Sequence, residues 1–380
     1  MSENQKKISI CALMLDPYDT SPGQRFRIEQ WEPYLNRDGI SIDYFSFSND
    51  ALKKVIYQNG KTVSKITELS KATWRRVGHI LKASKYDVVF IYRALNMVGP
   101  AFLERILHLR RIPMILDFDD SIFQTHTSTA NERFSWAKFS GKTATICRLS
   151  TCVTVGNSYL ADYAEKYNDQ VFVVPTSIDT NVYQAKPKSI ETNERVIIGW
   201  TGSSTSQYYL EEFEPVLAKL VEKRGKDIEI RVVSNREPSF KLLPKSSYSW
   251  RAWSPQTEVE EIAKIDIGIM PTPIDEWAKG KCALKALQYM ALGIPAICTD
   301  IGANRDVIKH GENGFLATTP EEWLNYFETL IDNAELRIKL GNEARKTVVE
   351  DYSMESCAAL FAQVVRKTVQ TKNGNGRIKS

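Results

Sequence analysis

The sequence predicts an α/β protein with two doubly wound parallel sheets. Short apolar runs recur along the 380 residues, and most are followed by a polar turn and an amphipathic helix, the alternation that builds a parallel sheet. The length is that of two domains of ordinary size. The clearest unit is an apolar run at 265–270, a helix predicted from about Lys281 to Leu292, and a second apolar run beginning at Pro295.

The order of the predicted elements divides the chain. Strands are predicted at 7–15, 40–47, 87–93, 112–117, 151–156 and 171–175, and then at 196–200, 228–234, 265–270 and 295–299. The polar stretch 176–193 between the two sets predicts a linker. We therefore predict an N-terminal domain over 1–180 with a linker to about 194, a C-terminal domain over 195–352, a helix over 353–370 that returns to the N-terminal domain, and a flexible tail over 371–380.

Composition excludes several classes of protein. A net charge of +4, without zinc-finger spacing or an aromatic and basic RNA motif, does not favour a nucleic-acid partner. Six cysteines without a C-x-x-C pair and four histidines without H-E-x-x-H spacing predict no metal site. No secretion signal and no apolar stretch of about 18 residues are recognised, so we expect a cytoplasmic protein or one on the inner face of a membrane.

Two lysines and a glutamine mark the first candidate site. Lys281, Lys285 and Gln288 are spaced i, i+4 and i+7, which puts them on one stripe of the predicted helix. That helix starts at the carboxyl end of a strand, where open α/β sheets bind ligands. Lysine in a first turn is unfavourable unless an anion binds there, so the stripe predicts a phosphate site. A solvated helix face would have the same pattern.

A loop of small residues marks a second phosphate candidate. Gly202 and Ser203 follow the strand at 196–200, and a helix is predicted to begin at Gln207. Backbone N–H groups at a helix start bind anions. An ordinary N-cap turn has the same sequence.

In the first half, charged residues follow the strands. Asp117, Asp119 and Asp120 come at the end of the strand at 112–117, and Gly23 and Arg25 lie in the first strand-to-helix crossover. Arg25 is expected either to reach an anion or to pair with a nearby acid. The three aspartates at this strand end have two interpretations: they are functional carboxylates, or they are ordinary turn residues.

The segment 53–85 has nine Lys or Arg residues and one acid, Glu68. Trp74, Val77, Ile80 and Leu81 are expected on one helical face beside the basic one. Such a helix suits an anionic membrane surface. The alternative is a solvated basic helix whose apolar face belongs to the core.

The order of motifs in the second half resembles a known family. M-P-T-P at 270–273, K-G-K-C-A-L-K-A-L-Q-Y-M-A-L-G-I-P-A-I at 279–297, D-I-G-A-N-R-D-V-I at 300–308 and G-E-N-G-F-L at 311–316 occur in that order. The sequence over about 195–352 resembles the retaining nucleotide-sugar glycosyltransferases of family 4, which have the GT-B fold. The resemblance is weaker in the first half, where D-F-D-D at 117–120 and G-Q-R-F-R at 23–27 resemble one branch.

The resemblance implies a role for particular residues in binding the donor. Gln288 falls where the family's second glutamate holds the ribose hydroxyls, and the first glutamate would fall at Gly280, so Asp275 or Glu276 is expected to replace it. The stretch at 201–204 has no cation where the family often has one. Lys281 and Lys285 are therefore the expected diphosphate ligands, together with Gly202 and Ser203. Gly302 and Asn304 match the turn that approaches the sugar and phosphate.

The resemblance also implies a mechanism. Cations such as Lys281 would stabilise the charge that develops on the leaving diphosphate. Transfer is expected with retention, without a metal or other cofactor, from a nucleoside-diphosphate sugar to a glycan or lipid-linked acceptor. Asp119 and Asp120 would orient hydroxyl groups or stabilise positive charge, with Gly23 and Arg25 on the acceptor side.

Three rival functions fit parts of the sequence. In a haloacid-dehalogenase phosphatase, Asp117 would be the nucleophile and Asp119 the acid/base, with Mg²⁺. Against it, the motif is not in the first strand, a second α/β domain follows, and no convincing downstream Lys and G-D-x-x-x-D pair appears. The other rivals are a non-catalytic two-domain ligand-binding protein and a nucleotide-sugar epimerase.

Overall fold

The computed structural model describes residues 7–56, 58, 60–124, 141–185 and 195–373. It divides the chain into two compact units, Met1–Thr176 with Cys357–Ser380 and Ser177–Ser356. Most of the predicted linker (186–194) and the end of the tail (374–380) lie outside the described residues. Each unit contains a six-stranded sheet in which all neighbouring strands are parallel.

The first sheet has the strand order β2-β1-β3-β4-β5-β6. Its strands are β1 (Ile8–Met14), β2 (Ile40–Ser46), β3 (Val88–Tyr92), β4 (Met114–Phe118), β5 (Cys152–Val155) and β6 (Val171–Val173). The helices that follow them in this unit are α1 (Pro22–Arg27), α2 (Glu32–Arg37), α3 (Asp50–Ile56), α4 (Thr62–Lys82), α5 (Phe102–Leu109), α6 (Lys142–Leu149) and α7 (Ser158–Ala164). The inner strands β3 and β4 are buried throughout, so they appear in the sequence as continuous apolar runs.

Helix α4 does not have the single apolar face expected from its sequence. Ile80 is buried, but Trp74 and Leu81 are 77% and 63% exposed. Arg76, which the spacing placed among the basic residues, is fully buried and donates to the carbonyl oxygens of Met14 and Phe45. These carbonyls lie near the carboxyl ends of the parallel strands β1 and β2, so the guanidinium binds the two strands together at that edge of the sheet.

The second sheet has the strand order β12-β11-β10-β7-β8-β9. Its strands are β7 (Val196–Gly202), β8 (Ile228–Ser234), β9 (Tyr248–Ala252), β10 (Ile267–Met270), β11 (Ala296–Thr299) and β12 (Gly314–Ala317). Its helices are α8 (Gln207–Glu212), α9 (Glu214–Arg224), α10 (Glu258–Ala263), α11 (Glu276–Lys279), α12 (Leu284–Ala291), α13 (Ala303–Val307), α14 (Pro320–Asp332) and α15 (Ala334–Asp351). The sequence did not predict β9 or β12.

Helix α12 begins at Leu284, three residues after the predicted start. Ala283 has φ = +52°, in the left-handed region, which interrupts the helix between Lys281 and Leu284. The helix ends at Ala291, one residue before the predicted Leu292, and Gly293, with φ = +70°, follows its C-cap as glycine commonly does.

The last helix, α16 (Met354–Asn373), belongs to the first unit from Cys357 onwards. Its Phe361 is fully buried and packs against Trp31 and Phe90, with ring centroids 5.4 and 5.5 Å away. The Arg366 guanidinium donates to the carbonyl oxygen of Asp38, 2.9 Å away. Within the described residues, no helix has the length and apolar character needed to span a bilayer.

Candidate functional site

Lys285 lies on the first turn of α12, beside the carboxyl end of β7. Its ammonium nitrogen is 5.5 Å from the centre of the Trp200 ring. A β-carbon placed on Gly202 would be 2.8 Å from Cε of Lys285 and 2.5 Å from the Trp200 ring. Glycine at 202 therefore leaves the space that the lysine stem occupies, and the structure brings these two predicted site residues together.

The Lys285 ammonium group is electrostatically unsatisfied. Burial, with repulsion from Lys281, lowers the pKa of Lys285 from 10.5 to about 8. No carboxylate among the described residues pairs with Lys285. A bound anion would favour the charged form and raise this pKa again.

Lys281 is not on the stripe of α12 as predicted, because the helix starts after it. It lies in the segment between α11 and α12, and its backbone N–H donates to the carbonyl oxygen of Ala278, 3.1 Å away. Its charge nevertheless acts on Lys285. The two cations are therefore neighbours through the connecting segment and not through helical spacing.

Gln288 lies one turn beyond Lys285 and is only 7% exposed. Its Nε2 group donates to Tyr183 Oη at 2.9 Å and to Glu258 Oε1 at 3.0 Å. Trp253 Nε1 donates to the same Glu258 oxygen at 2.9 Å, and the Tyr183 hydroxyl donates to Glu258 Oε2 at 3.0 Å. We call Tyr183, Trp253, Glu258 and Gln288 the Glu258 cluster.

Sequence reasoning did not identify Glu258. It lies thirty positions before Gln288, at the start of a six-residue helix that also contains Glu260 and Glu261. The carboxylates that were expected beside Gln288 have other partners: Asp275 caps α11 by accepting from the Ala278 N–H at 2.7 Å, and Glu276 pairs with Lys279. Glu258 is the carboxylate in contact with Gln288.

The remaining predicted donor residues stabilise turns. The Ser203 hydroxyl bonds to that of Thr205 at 2.7 Å. Asn304 is buried and its Nδ2 donates to the carbonyl oxygen of Thr299 at 2.8 Å. Gly302 has φ = +49°, and a β-carbon there would lie 2.5 Å from the carbonyl oxygen of Lys279, so this turn packs closely on the α11 backbone.

The second unit also has a cavity of about 250 Å³ at the carboxyl ends of β10, β11 and β12. Its lining residues are Tyr209, Glu212, Phe213, Val216, Pro271, Thr272, Pro273, Ile274, Thr299, Thr318, Pro320 and Trp323. None of the predicted site residues lines it. Its one charged lining residue is acidic, which does not suit a phosphate.

In the first unit, Asp119 and Asp120 share an arginine. Asp119 accepts from Tyr92 Oη at 2.8 Å and from Arg93 Nη2 at 2.7 Å, and Arg93 Nη2 also donates to Asp120 Oδ2 at 2.5 Å. Burial alone would raise the pKa of Asp119, but Arg93 and Arg27 outweigh it and hold this pKa below its usual 3.8. Asp119 is therefore an anion at neutral pH.

Arg93 has an unusual backbone conformation. Its φ is +63°, in the left-handed region that non-glycine residues rarely adopt. Such residues cost on the order of 1–3 kcal/mol and are concentrated at functional sites. Its backbone N–H donates to the Asp117 carbonyl at 2.7 Å, and its guanidinium lies 4.9 Å from the Tyr92 ring centre. We call Tyr92, Arg93, Asp119 and Asp120 the Arg93 cluster.

Gly23 lies against the Arg93 cluster. A β-carbon at Gly23 would be 2.0 Å from Tyr92 Oη and 3.1 Å from Asp119 Oδ2. The structure thus brings Gly23 and Asp119 together, although they come from different strand ends. Arg25 pairs with a nearby acid, one of its two expected roles: its Nη1 lies 3.7 Å from Asp19 Oδ1, and both side chains are exposed.

The environment of Asp117 contradicts the phosphatase alternative. Asp117 is fully buried within β4 and accepts from Arg27 Nε at 3.0 Å and from the Thr154 hydroxyl at 2.7 Å. Burial raises its pKa despite these contacts. A nucleophilic carboxylate must reach a phosphorus atom, and this one is sealed beneath the strand ends. The described residues contain no group of three or more His, Cys, Asp or Glu side chains placed as metal ligands.

Comparisons with known proteins agree with this architecture. Residues 196–333 match the family model described as "Glycosyl transferases group 1". A probable sucrose-phosphate synthase of Thermosipho melanesiensis is 25% identical over 231 residues, which are 56% of this chain and 50% of that protein. An MMP alpha-(1->4)-mannosyltransferase of Mycolicibacterium hassiacum is 24% identical over 222 residues, 55% of this chain and 51% of the relative. The chain spans about half the length of these two curated relatives.

Solved structures are similar over almost the whole chain. Sucrose-phosphate synthase from Thermosynechococcus elongatus has a TM-score of 0.67 at 13% identity, covering 96% of this chain and 100% of its own. Anabaena Alr3699/HepE, in complex with UDP and glucose, has a TM-score of 0.63 at 15% identity, with 95% and 100% covered. The chain therefore has the two-domain, Rossmann-like GT-B fold, as predicted, and the resemblance to GT-B glycosyltransferases is confirmed. Membership of family 4 stays a prediction.

Proposed function

We propose that this protein is a glycosyltransferase that moves a sugar from a nucleoside-diphosphate sugar to a glycan or lipid-linked acceptor. The observation that carries the proposal is Lys285, a partly buried cation beside Lys281 that pairs with no carboxylate in the described part of the chain, in the unit that matches the glycosyltransferase family model. Uridine is the proposed nucleoside, because Alr3699/HepE was crystallised with UDP and with UDP-glucose.

The two lysines suit the chemistry of this reaction. When the bond between the anomeric carbon and the diphosphate oxygen breaks, negative charge accumulates on the leaving phosphates. Cations already fixed in a partly buried site stabilise that charge without reorganising. Lys281 is the proposed catalytic cation, and Lys285 binds the diphosphate with Gly202 and Ser203 beside it. The cation pair neutralises the leaving group in this proposal, so no metal or other cofactor is assigned.

The proposed transfer retains the anomeric configuration. The acceptor hydroxyl oxygen bonds to the anomeric carbon on the face that the diphosphate leaves, and a leaving phosphate oxygen takes the acceptor proton. Asp119, kept ionised by Arg93, and Asp120, which pairs with the same guanidinium, are proposed to orient hydroxyl groups or to stabilise positive charge on the sugar ring. Gly23 and Arg25 are assigned to the acceptor side.

Helix α4 is the proposed membrane contact. Trp74 and Leu81 are exposed on it, and exposed lysines such as Lys71 and Lys82 lie on the same helix. Apolar and basic side chains together bind the surface of an anionic bilayer. The proposal places the protein in the cytoplasm, peripherally on the inner face of a membrane, where a lipid-linked acceptor would be accessible.

A thermal-shift comparison tests the proposed donor site. Without added metal, UDP should raise the melting temperature of the wild type and of Lys279→Ala, because a ligand that binds only the folded state stabilises it. The Lys279→Ala variant removes a nearby, more exposed lysine and serves as the control. Lys285→Ala should lose the shift. Absence of a shift with every nucleoside diphosphate would contradict the proposed function.

A further inference from the structure

The second unit has a cavity of about 250 Å³ to which the proposed function assigns no role. It lies at the carboxyl ends of β10, β11 and β12, the edge at which open α/β sheets bind ligands. We propose that this cavity binds one neutral sugar ring, either a free sugar or one unit of a glycan. The site goes beyond the proposed function, because it does not require a nucleotide.

The cavity is separate from the lysines of the proposed donor site. Its helical walls come from α8, α9 and α14, whereas Lys285 lies on α12. The crossover from β7 to β8 through α8 and α9 runs along the sheet in the direction opposite to the crossover from β10 to β11 through α12. Right-handed crossovers in opposite directions place their helices on opposite faces. In agreement, α9 contacts α14, and α12 contacts α10 and α15.

The buried part of the lining has a hydroxyl proton that the protein does not use. Thr299 is 5% exposed, and its hydroxyl oxygen accepts from the backbone N–H of Thr272 at 2.9 Å. In the part of the chain that the structure describes, no group accepts the Thr299 hydroxyl proton. The Thr272 hydroxyl, also in the lining, is 3.5 Å from the Met270 carbonyl oxygen, at the limit for a hydrogen bond. Buried donors of this kind call for an acceptor.

The rim of the cavity has an unused acceptor. Glu212 is exposed and is the one charged residue of the lining. Among the described residues, its carboxylate has no hydrogen-bond or ion-pair partner. A carboxylate accepts from hydroxyl and ammonium groups and repels phosphate. The cavity therefore presents a donor in its buried part and an acceptor at its rim.

These groups together select the class of ligand. The ligand has to accept from Thr299 and donate to Glu212, and a hydroxyl group does both. A phosphate would satisfy Thr299 but be repelled by Glu212, and an ammonium ion would satisfy Glu212 alone. The rings of Phe213 and Trp323 pack edge to face with centroids 4.6 Å apart, so they form one apolar wall and not the separate walls of a cage around a cation. Such a wall suits the C–H face of a sugar ring.

The size of the cavity limits the ligand to one ring. Pockets for drug-sized ligands have volumes of about 300–1,000 Å³, and this cavity is smaller. Its rim residues Glu212, Ile274, Thr318 and Pro320 are exposed, so a chain attached to the bound ring can continue into solvent. The cavity is therefore compatible with the end of a glycan as well as with a free sugar.

Saturation-transfer NMR with the methyl α-glycosides of glucose, galactose and mannose tests the inference. At least one should bind the wild type saturably. Glu212→Ala should weaken that binding about tenfold, because a charge-assisted hydrogen bond is lost. Thr318→Trp places an indole ring at the rim and should abolish it. Both residues are exposed, so neither change removes a core side chain. Glu222→Ala, on α9 outside the lining, should behave as the wild type.

Competition distinguishes this site from the proposed donor site. Sugar binding should persist in Lys285→Ala and in the presence of saturating UDP. Pyrophosphate and tetramethylammonium ions should not displace the sugar, because neither satisfies both Thr299 and Glu212. A disaccharide that ends in the best-binding sugar identifies the source of the ring: binding as tight as that of the methyl glycoside indicates a glycan, and loss of binding indicates a free sugar.

Three results would overturn the inference: no saturable binding of any of the glycosides, unchanged binding in Glu212→Ala and Thr318→Trp, or displacement of the sugar by UDP, pyrophosphate or tetramethylammonium. Failure of this inference and failure of the proposed function are distinguishable. If no nucleoside diphosphate binds but sugar binding depends on Glu212 and Thr318, the proposed function fails and this inference holds.

Discussion

The ammonium group of Lys285 lies 5.5 Å from the Trp200 ring centre, and the lysine stem passes through the space that Gly202 leaves open. An aromatic face attracts a cation, but it does not replace a counter-ion. The lowered pKa of Lys285 shows that the protein holds this charge at a cost to its own stability. That cost is expected of a binding site and has no evident structural benefit.

Removing this charge should therefore stabilise the protein. The pKa of Lys285 is depressed in the folded state, so unfolding takes up a proton between about pH 8 and 10.5, and stability rises with pH over that window. At pH 7, Lys285→Met should be more stable than the wild type by roughly 2 kcal/mol, after allowance for partial exposure. The difference should shrink by pH 10.5. Urea denaturation at both pH values measures it, and a less stable variant at pH 7 would contradict the account.

Asp119 should contribute to stability only while it is ionised. Its pKa is lowered in the folded state, so its contribution is present above the unfolded value of 3.8 and is lost as the pH falls through the folded value. Asp119→Asn should destabilise the protein by roughly 1–3 kcal/mol at pH 7, because Arg93 loses its main partner. In denaturation experiments, the difference in free energy of unfolding between the wild type and Asp119→Asn should be smaller near pH 3 than at pH 7. An equal loss at both pH values would show that charge is not the cause.

Asp120→Asn is the control for that measurement. Asp120 is more exposed than Asp119, at 31% against 13%, and pairs with the same guanidinium. Exposed pairs contribute little, so its loss should be less than about 1 kcal/mol.

A methyl group at Gly23 should disrupt the Arg93 cluster. In Gly23→Ala the new β-carbon would meet Tyr92 Oη at 2.0 Å, which forces the hydroxyl away from Asp119. We expect a stability loss of about 1–3 kcal/mol. Adding Tyr92→Phe removes the clashing oxygen and should recover part of it. Gly78→Ala, in the middle of α4, places its new carbon within 4 Å of nothing except its chain neighbours and its own helix backbone, and should instead stabilise by about 0.5–1 kcal/mol.

Membrane binding should depend on the exposed face of α4. Trp74→Ala should weaken co-sedimentation with anionic vesicles. The double change Lys71→Glu with Lys82→Glu should also weaken it, by at least about 1 kcal/mol of binding free energy per lysine replaced. Arg75 and Arg76 are unsuitable targets, since both donate to backbone carbonyls and Arg76 is fully buried. Neutral vesicles serve as the control. Unchanged binding in both variants would make α4 a solvated surface helix.

Much of the fold was predictable because its inner strands are continuous apolar runs with clear turn residues between them. The two unpredicted strands lack that pattern: β9 is a partly exposed edge strand containing Ser249 and Arg251, and β12 has four residues directly after a glycine turn. Hydrophobic periodicity is weak in both cases.

The sites were less predictable than the fold. We predicted that Lys281 and Lys285 are close because of helical spacing. They are close through the connecting segment instead, since Ala283 adopts a left-handed conformation, which an alanine in the sequence does not predict. Glu258 had no local signal, since its role depends on contacts with Tyr183 and Gln288 at distant positions. Such contacts are decided by tertiary packing.

The most direct test of the central claim is the number of protons exchanged when UDP binds at pH 8. If a diphosphate is the missing counter-ion of Lys285, binding raises its pKa from about 8, and the complex takes up as much as about half a proton. Calorimetry in two buffers of different ionisation enthalpy measures this uptake. The account predicts uptake in the wild type and none in Lys285→Arg, which is charged throughout. Tight UDP binding with no proton uptake by the wild type would contradict it.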